Sequence, residues 1–190
     1  MFGNLRRFDA DYRVIPWATF TDPEVARVGL NEIEAQEKKI AVTVTTYGID
    51  DLDRAITDGS AQGVVKVLTK PGSDRILGAT IVGEHAGDLL AEFVLAMKHD
   101  IGLNKILGTI HTYPTLAEAN KYVAGSWKRG TVTRGQWAIL DAYQGWRRGA
   151  NGIGAVLAQL GALARDKRPA YASDEVAAVD VSKVFPGAPR

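Results

Sequence analysis

Cysteine is missing from all 190 positions. Without a thiol the chain cannot form a disulfide, bind a metal through thiolate, run a redox dithiol or offer a cysteine nucleophile. An excess of charge is missing too: 23 Lys and Arg stand against 22 Asp and Glu, a formal net charge of +1. No overall field therefore draws the chain to nucleic acid or to an anionic membrane. Nowhere do about 18 apolar residues run together, and the start MFGNLRRFDADYRV has no apolar core of the signal-peptide kind. Neither a membrane span nor a secretory leader is expected, and the cytoplasm is the expected compartment. Finally, no Gly-x-Gly-x-x-Gly turn joins a strand to a helix. GANGIG at 149–154 follows a helical pattern, which is the wrong context for cradling a phosphate. No metal site and no FAD or NAD(P)H site is expected within this chain.

What is present is enough apolar residue, 46% of the chain, to build a core at this length. Residues 1–13 read as a polar N-terminal arm. Short extended pieces follow at 17–20 and 26–29, and then a helix over 32–39. Asn31 and Glu34 stand at capping-box spacing at its start. AVTVTTYGI at 41–49 is β-branched and alternating, as a strand requires. GVVKVLTK at 63–70, PGSD at 71–74 and RILGATIVGE at 75–84 spell a hairpin. From residue 86, Leu89, Leu90, Phe93, Val94 and Met97 form one helical stripe suited to covering a sheet. A short helix is expected near 104–107, and Pro114 fits the first turn of the next one. Strands first and helices second give an α+β class, with an antiparallel sheet covered by helices.

The main domain is read as 14–129. A helical extension over 130–166 follows, with two amphipathic stretches, WAILDAYQGWRRG and IGAVLAQLGALAR, joined by GANG. A weakly structured tail covers 167–190. Between Lys121 and Arg168 stand nine basic and two acidic residues. With no nucleic-acid motif and no regular aromatic interleaving, this excess reads as a solvated helical face rather than a nucleic-acid patch.

The stretch HTYPTLAEA at 111–119 concentrates the candidate chemistry: His111, Tyr113 and Glu118. A structural reading accounts for all three. Thr115-Leu-Ala-Glu118 matches a capping box, worth about 1 kcal/mol to a helix start. A histidine ahead of a helix is commonly a hydrogen-bonded structural residue, and a tyrosine commonly a packed ring with its hydroxyl at the surface.

Three blocks together shift that balance: FTDPEVARVGLNEIEA at 20–35, GVVKVLTKPGSDRILGATIVGEHAGDLLAEFVLAMK at 63–98 and HTYPTLAEA at 111–119. In order and spacing they resemble the C-terminal dimerisation domain of pyridine nucleotide-disulfide oxidoreductases, the group of dihydrolipoamide dehydrogenase, glutathione reductase and mercuric reductase. The likeness covers about residues 14–125. It implies a homodimer interface domain that completes a redox site only with a flavoprotein portion or partner carrying FAD and NAD(P)H. In such enzymes a histidine just before the loop proline, and a glutamate after it, reach the partner subunit's redox site. Tyr113 stands in the histidine's place, Glu118 keeps the glutamate's, and His111 lies two residues earlier. A tyrosine there resembles the mercuric-reductase-related branch, whose metal-handling C-terminal cysteines are absent. A phenol titrating near 10 is a poorer base at neutral pH than an imidazole titrating near about 6.5. The expected role of Tyr113 is therefore to position or stabilise, with Glu118 orienting it. The rival reading is a freestanding small-molecule-binding or protein-interaction module with no redox role.

Overall fold

The computed structural model describes residues 12, 14–149 and 154. Apart from Tyr12 and Gly154, the expected arm at 1–13, the second amphipathic stretch at 153–165 and the tail at 167–190 lie outside the described residues.

Five strands form one sheet: β1 (Pro16–Thr19), β2 (Glu24–Gly29), β3 (Thr43–Gly48), β4 (Val64–Thr69) and β5 (Ile76–Gly83). Their order is β1-β2-β5-β4-β3, with every neighbouring pair antiparallel. The expected hairpin is β4–β5, and β5 lies at the centre of the sheet. Alternation sets the two faces. Ala26, Val28, Val65, Val67, Ala79 and Ile81 point to one side and are fully buried. Helices α3 (Ala86–Lys98) and α5 (Glu118–Thr131) cover that side. Phe93 from α3, and Val123 and Trp127 from α5, fill the core, with Leu103 and Ile106 from α4 (Leu103–Gly108) packed beside them. The architecture is the α+β arrangement the sequence predicts.

Two smaller helices complete the domain. α1 (Glu32–Glu37) lies over the other side of the sheet. There Ile33 and Glu32 share a shallow cavity of about 360 Å³ with Val64, Lys66, Thr80 and Val82. Its start is the expected capping box: Asn31 Oδ1 accepts from the Glu34 N–H at 2.7 Å, and the Glu34 carboxylate reaches back to the Asn31 N–H. α2 (Asp53–Asp58) follows a single 3₁₀ turn at Ile49–Asp51. The sequence reading leaves this segment unassigned, because six residues are too few to display a helical stripe.

The expected start of α5 needs correction. Pro114 is not in the first turn. It lies ahead of Thr115, joined to Tyr113 by a cis peptide, and the regular helix begins at Glu118. Only half of the expected capping box closes. The Glu118 carboxylate accepts from the Thr115 N–H at 3.3 Å, while the Thr115 hydroxyl donates to the Thr112 carbonyl at 2.6 Å. The hydroxyl caps no N–H because residues 118–120 enter the helix through i→i−3 bonds, such as Ala119 N–H to the Leu116 carbonyl. The Glu118 N–H is already taken by the Thr115 carbonyl.

Past α5, α6 spans Arg134–Arg147, starting three residues before the expected WAILDAYQGWRRG stretch. Thr133 and Gln136 close a full capping box at its start. Among the described residues, no helix is long and apolar enough to cross a membrane.

Candidate functional site at the 109–118 segment

The segment leaving α4 leads into α5 and is tied down near both ends. His111 anchors the first. Its Nδ1 lies 3.1 Å from the Thr109 carbonyl oxygen, and its Nε2 lies 3.0 and 3.2 Å from the two Glu92 oxygens. Both partners are acceptors, so both bonds form only when both ring nitrogens carry hydrogen. Glu92 also accepts from Asn120 Nδ2 at 2.9 Å, and Asn120 donates to the Leu89 carbonyl. One carboxylate on α3 thus ties the loop histidine to a buried asparagine on α5. With its side chain only 7% exposed, His111 ties the loop to α3 through Glu92. Glu118, itself buried, anchors the other end through the Thr115 N–H.

Tyr113 lies between these anchors and is 65% exposed. Its hydroxyl donates to Asp53 Oδ2 at 2.8 Å, across 60 residues of sequence. That hydrogen bond, then the Asp53 charge, and after these slight burial and the Glu118 charge, raise the phenol above its ordinary pKa of 10.0. The structure therefore places His111, Tyr113 and Glu118 on one segment without making any of them another's hydrogen-bond partner. The partner sequence reasoning missed is Asp53. An aspartate at a helix start is a readable signal of macrodipole pairing, but nothing in sequence connects it to residue 113.

The same turn supplies a second carboxylate. Asp51 accepts from the Tyr47 hydroxyl, and burial, followed by this bond, pushes the Tyr47 phenol upward. The Tyr47 ring lies 5.5 Å from that of Tyr122 on α5. The charged and phenolic groups that act on the exposed Tyr113 are Asp53, Glu118 and Tyr122.

Two of the strand-to-helix turns are already occupied by carboxylates of the chain itself. At the turn from β5 into α3 the Gly87 N–H donates to Glu24 Oε2 at 3.2 Å, so a carboxylate occupies the position a phosphate would need. The turn from β2 into α1 is closed by the Asn31–Glu34 box. Among the described residues no group of three or more His, Asp or Glu could hold a metal ion.

Known proteins resemble this chain in sequence and in fold. Dihydrolipoyl dehydrogenase of Chlamydia trachomatis is 40% identical over 110 residues, covering 58% of this chain and 24% of that protein. Dihydrolipoyl dehydrogenase of Halobacterium salinarum is 41% identical over 114 residues, covering 60% and 24%. The chain thus spans about a quarter of the length of these curated relatives. Among solved structures, the HOCl-induced flavoprotein disulfide reductase RclA from Escherichia coli superposes with a TM-score of 0.61 at 22% identity, over 66% of this chain and 29% of that one. LpdA from Mycobacterium tuberculosis gives 0.58 at 22%, over 62% and 26%. These two likenesses speak for the fold. The profile of the pyridine nucleotide-disulphide oxidoreductase dimerisation domain matches residues 15–124, and by that match the chain belongs to this oxidoreductase family and carries its dimerisation domain.

Proposed function

We propose that the chain forms a homodimer and acts as the interface part of a cytoplasmic flavin-dependent oxidoreductase, with the 109–118 segment presenting Tyr113 to the partner subunit's redox site. The observation that carries the proposal is the contrast within that segment: its ends are tied down by His111–Glu92 and Glu118–Thr115, while Tyr113 between them stays 65% exposed. A phenol presented on a fixed loop is the arrangement a positioning contact needs. FAD and NAD(P)H, which would carry the electrons, belong in this reading to a flavin-binding portion or partner; carboxylates already meet the N–H groups at the turns into α3 and α1. In this reading His111 and Glu118 serve the site by holding the loop, and Tyr113 is the group that touches what the partner presents.

The test is Tyr113→Phe in the complete assembly with its flavin-binding portion. Loss of a positioning contact predicts turnover down by about 10-fold or more with the dimer intact. Unchanged turnover would remove Tyr113 from the redox site.

A further inference from the structure

The placement of Asp53 goes one step further than the reading above, on which it rests. We propose that Asp53 is the positioning residue for Tyr113: by taking the phenolic hydrogen it fixes the hydroxyl and leaves only lone pairs facing outward, so the loop offers an acceptor to a ligand group bearing N–H, O–H or S–H.

A free phenol can donate or accept. Here the hydrogen is committed, at 2.8 Å, to a carboxylate that starts α2. α2 is itself fixed: Ala55 is fully buried, Leu52 is buried just before the helix, and Thr57 Oγ1 donates to the Asp53 carbonyl at 2.8 Å. The Asp53 side chain is itself exposed, but the backbone that carries it is held by the buried Leu52 and Ala55 on either side. The other titratable groups acting on Tyr113 are Glu118 and Tyr122 from α5, and neither is a cation that could turn the hydroxyl the other way. An anion would meet lone pairs and two carboxylates here. A neutral or cationic donor would meet the acceptor it needs. The site that Tyr113 completes is thus selective for donor-bearing ligands, which is the reverse of an oxyanion-stabilising role.

The inference is tested first in the chain as it stands. The ultraviolet difference between wild type and Tyr113→Phe isolates the ionisation of this one phenol. The wild-type midpoint should lie above the ordinary tyrosine value, and Asp53→Asn should bring it down toward that value. Asp53→Glu, which keeps the carboxylate, should hold it up. A midpoint that stays put in Asp53→Asn overturns the inference. The second arm uses the complete assembly. Asp53→Asn should lose turnover comparably to Tyr113→Phe, with the double variant losing little more. Full turnover in Asp53→Asn beside a ~10-fold loss in Tyr113→Phe would overturn the positioning role while leaving the proposed function standing. No loss in Tyr113→Phe, with the phenol midpoint shifting as expected, would sink the proposed function instead.

Discussion

At the scale of single residues, carboxylates carry most of the organisation. Glu34 closes the box on α1 and also pairs with Arg27 of β2. The Arg27 hydrogen bond holds the Glu34 carboxyl below its usual value of 4.5. A group depressed on folding contributes stability that is present above the unfolded pKa and is lost as pH falls through the folded one. Glu34→Gln keeps the cap, since glutamine can also reach the Asn31 N–H, but loses the charge. The variant should therefore show a flatter loss of thermal stability below about pH 4.5 than wild type, measured by circular dichroism melts across acid pH. Identical acid profiles would mean that the pair adds nothing. Glu118 works differently, as a buried acceptor for one backbone N–H. Glu118→Gln should fold normally, whereas Glu118→Ala leaves the Thr115 N–H unpaired and should cost about 1–3 kcal/mol in denaturant unfolding. The box at Asn31 was legible because Asn-x-x-Glu is a local pattern and its bonds are local. The box at Thr115 was legible only by half, because the Glu118 N–H that the hydroxyl would cap goes to the Thr115 carbonyl instead. The partner of Tyr113 was not legible at all, since 60 residues separate Asp53 from it and only the folded sheet brings them together.

At the scale of elements, strands and long helices were readable because burial imposes a period on them. β4 and β5 alternate, α3 shows its stripe, and both appear where the pattern puts them. α2 and the exact start of α5 were not readable, because short 3₁₀-entered turns impose no period and are set by tertiary packing. The central strand also hides a constraint that composition alone does not display. The chain after β2 crosses so close to β5 that the Leu30 N–H donates to the Leu77 carbonyl at 2.9 Å. A Cβ added at Gly78 would stand 1.9 Å from the Leu30 carbonyl oxygen. Backbone cannot yield there as a flexible side chain would. Gly78→Ala should therefore destabilise the domain by several kcal/mol, on the order of 3 or more, and lower its melting temperature. A melting temperature within error of wild type would show that the crossing loop can move aside. Thr133→Ala makes a milder contrast: it removes the α6 cap and should cost about 1 kcal/mol.

At the scale of the whole molecule, the family membership and the exposed apolar side chains bear on the same question. Ile110 is 94% exposed, three residues before Tyr113 and directly before the tethered His111. A single exposed aliphatic side chain is ordinary on a protein surface, but one held out by a tethered loop is available to a second copy of the chain, which the dimerisation domain implies. An interface of the obligate kind buries on the order of 2,000 Å² or more and concentrates its energy in a few central apolar anchors. If Ile110 is such an anchor, Ile110→Asp should weaken self-association by about 2 kcal/mol or more, roughly 30-fold in the dissociation constant. Ile33 is the matched control, being 67% exposed but carried by α1 on the other face of the sheet. Ile33→Asp should leave association unchanged. Sedimentation velocity across a dilution series reads both. A dimer in wild type and Ile33→Asp with monomer in Ile110→Asp would put the 109–118 segment at the interface. Equal association in all three would move the contact elsewhere on the domain and take from Tyr113 its route to a partner subunit.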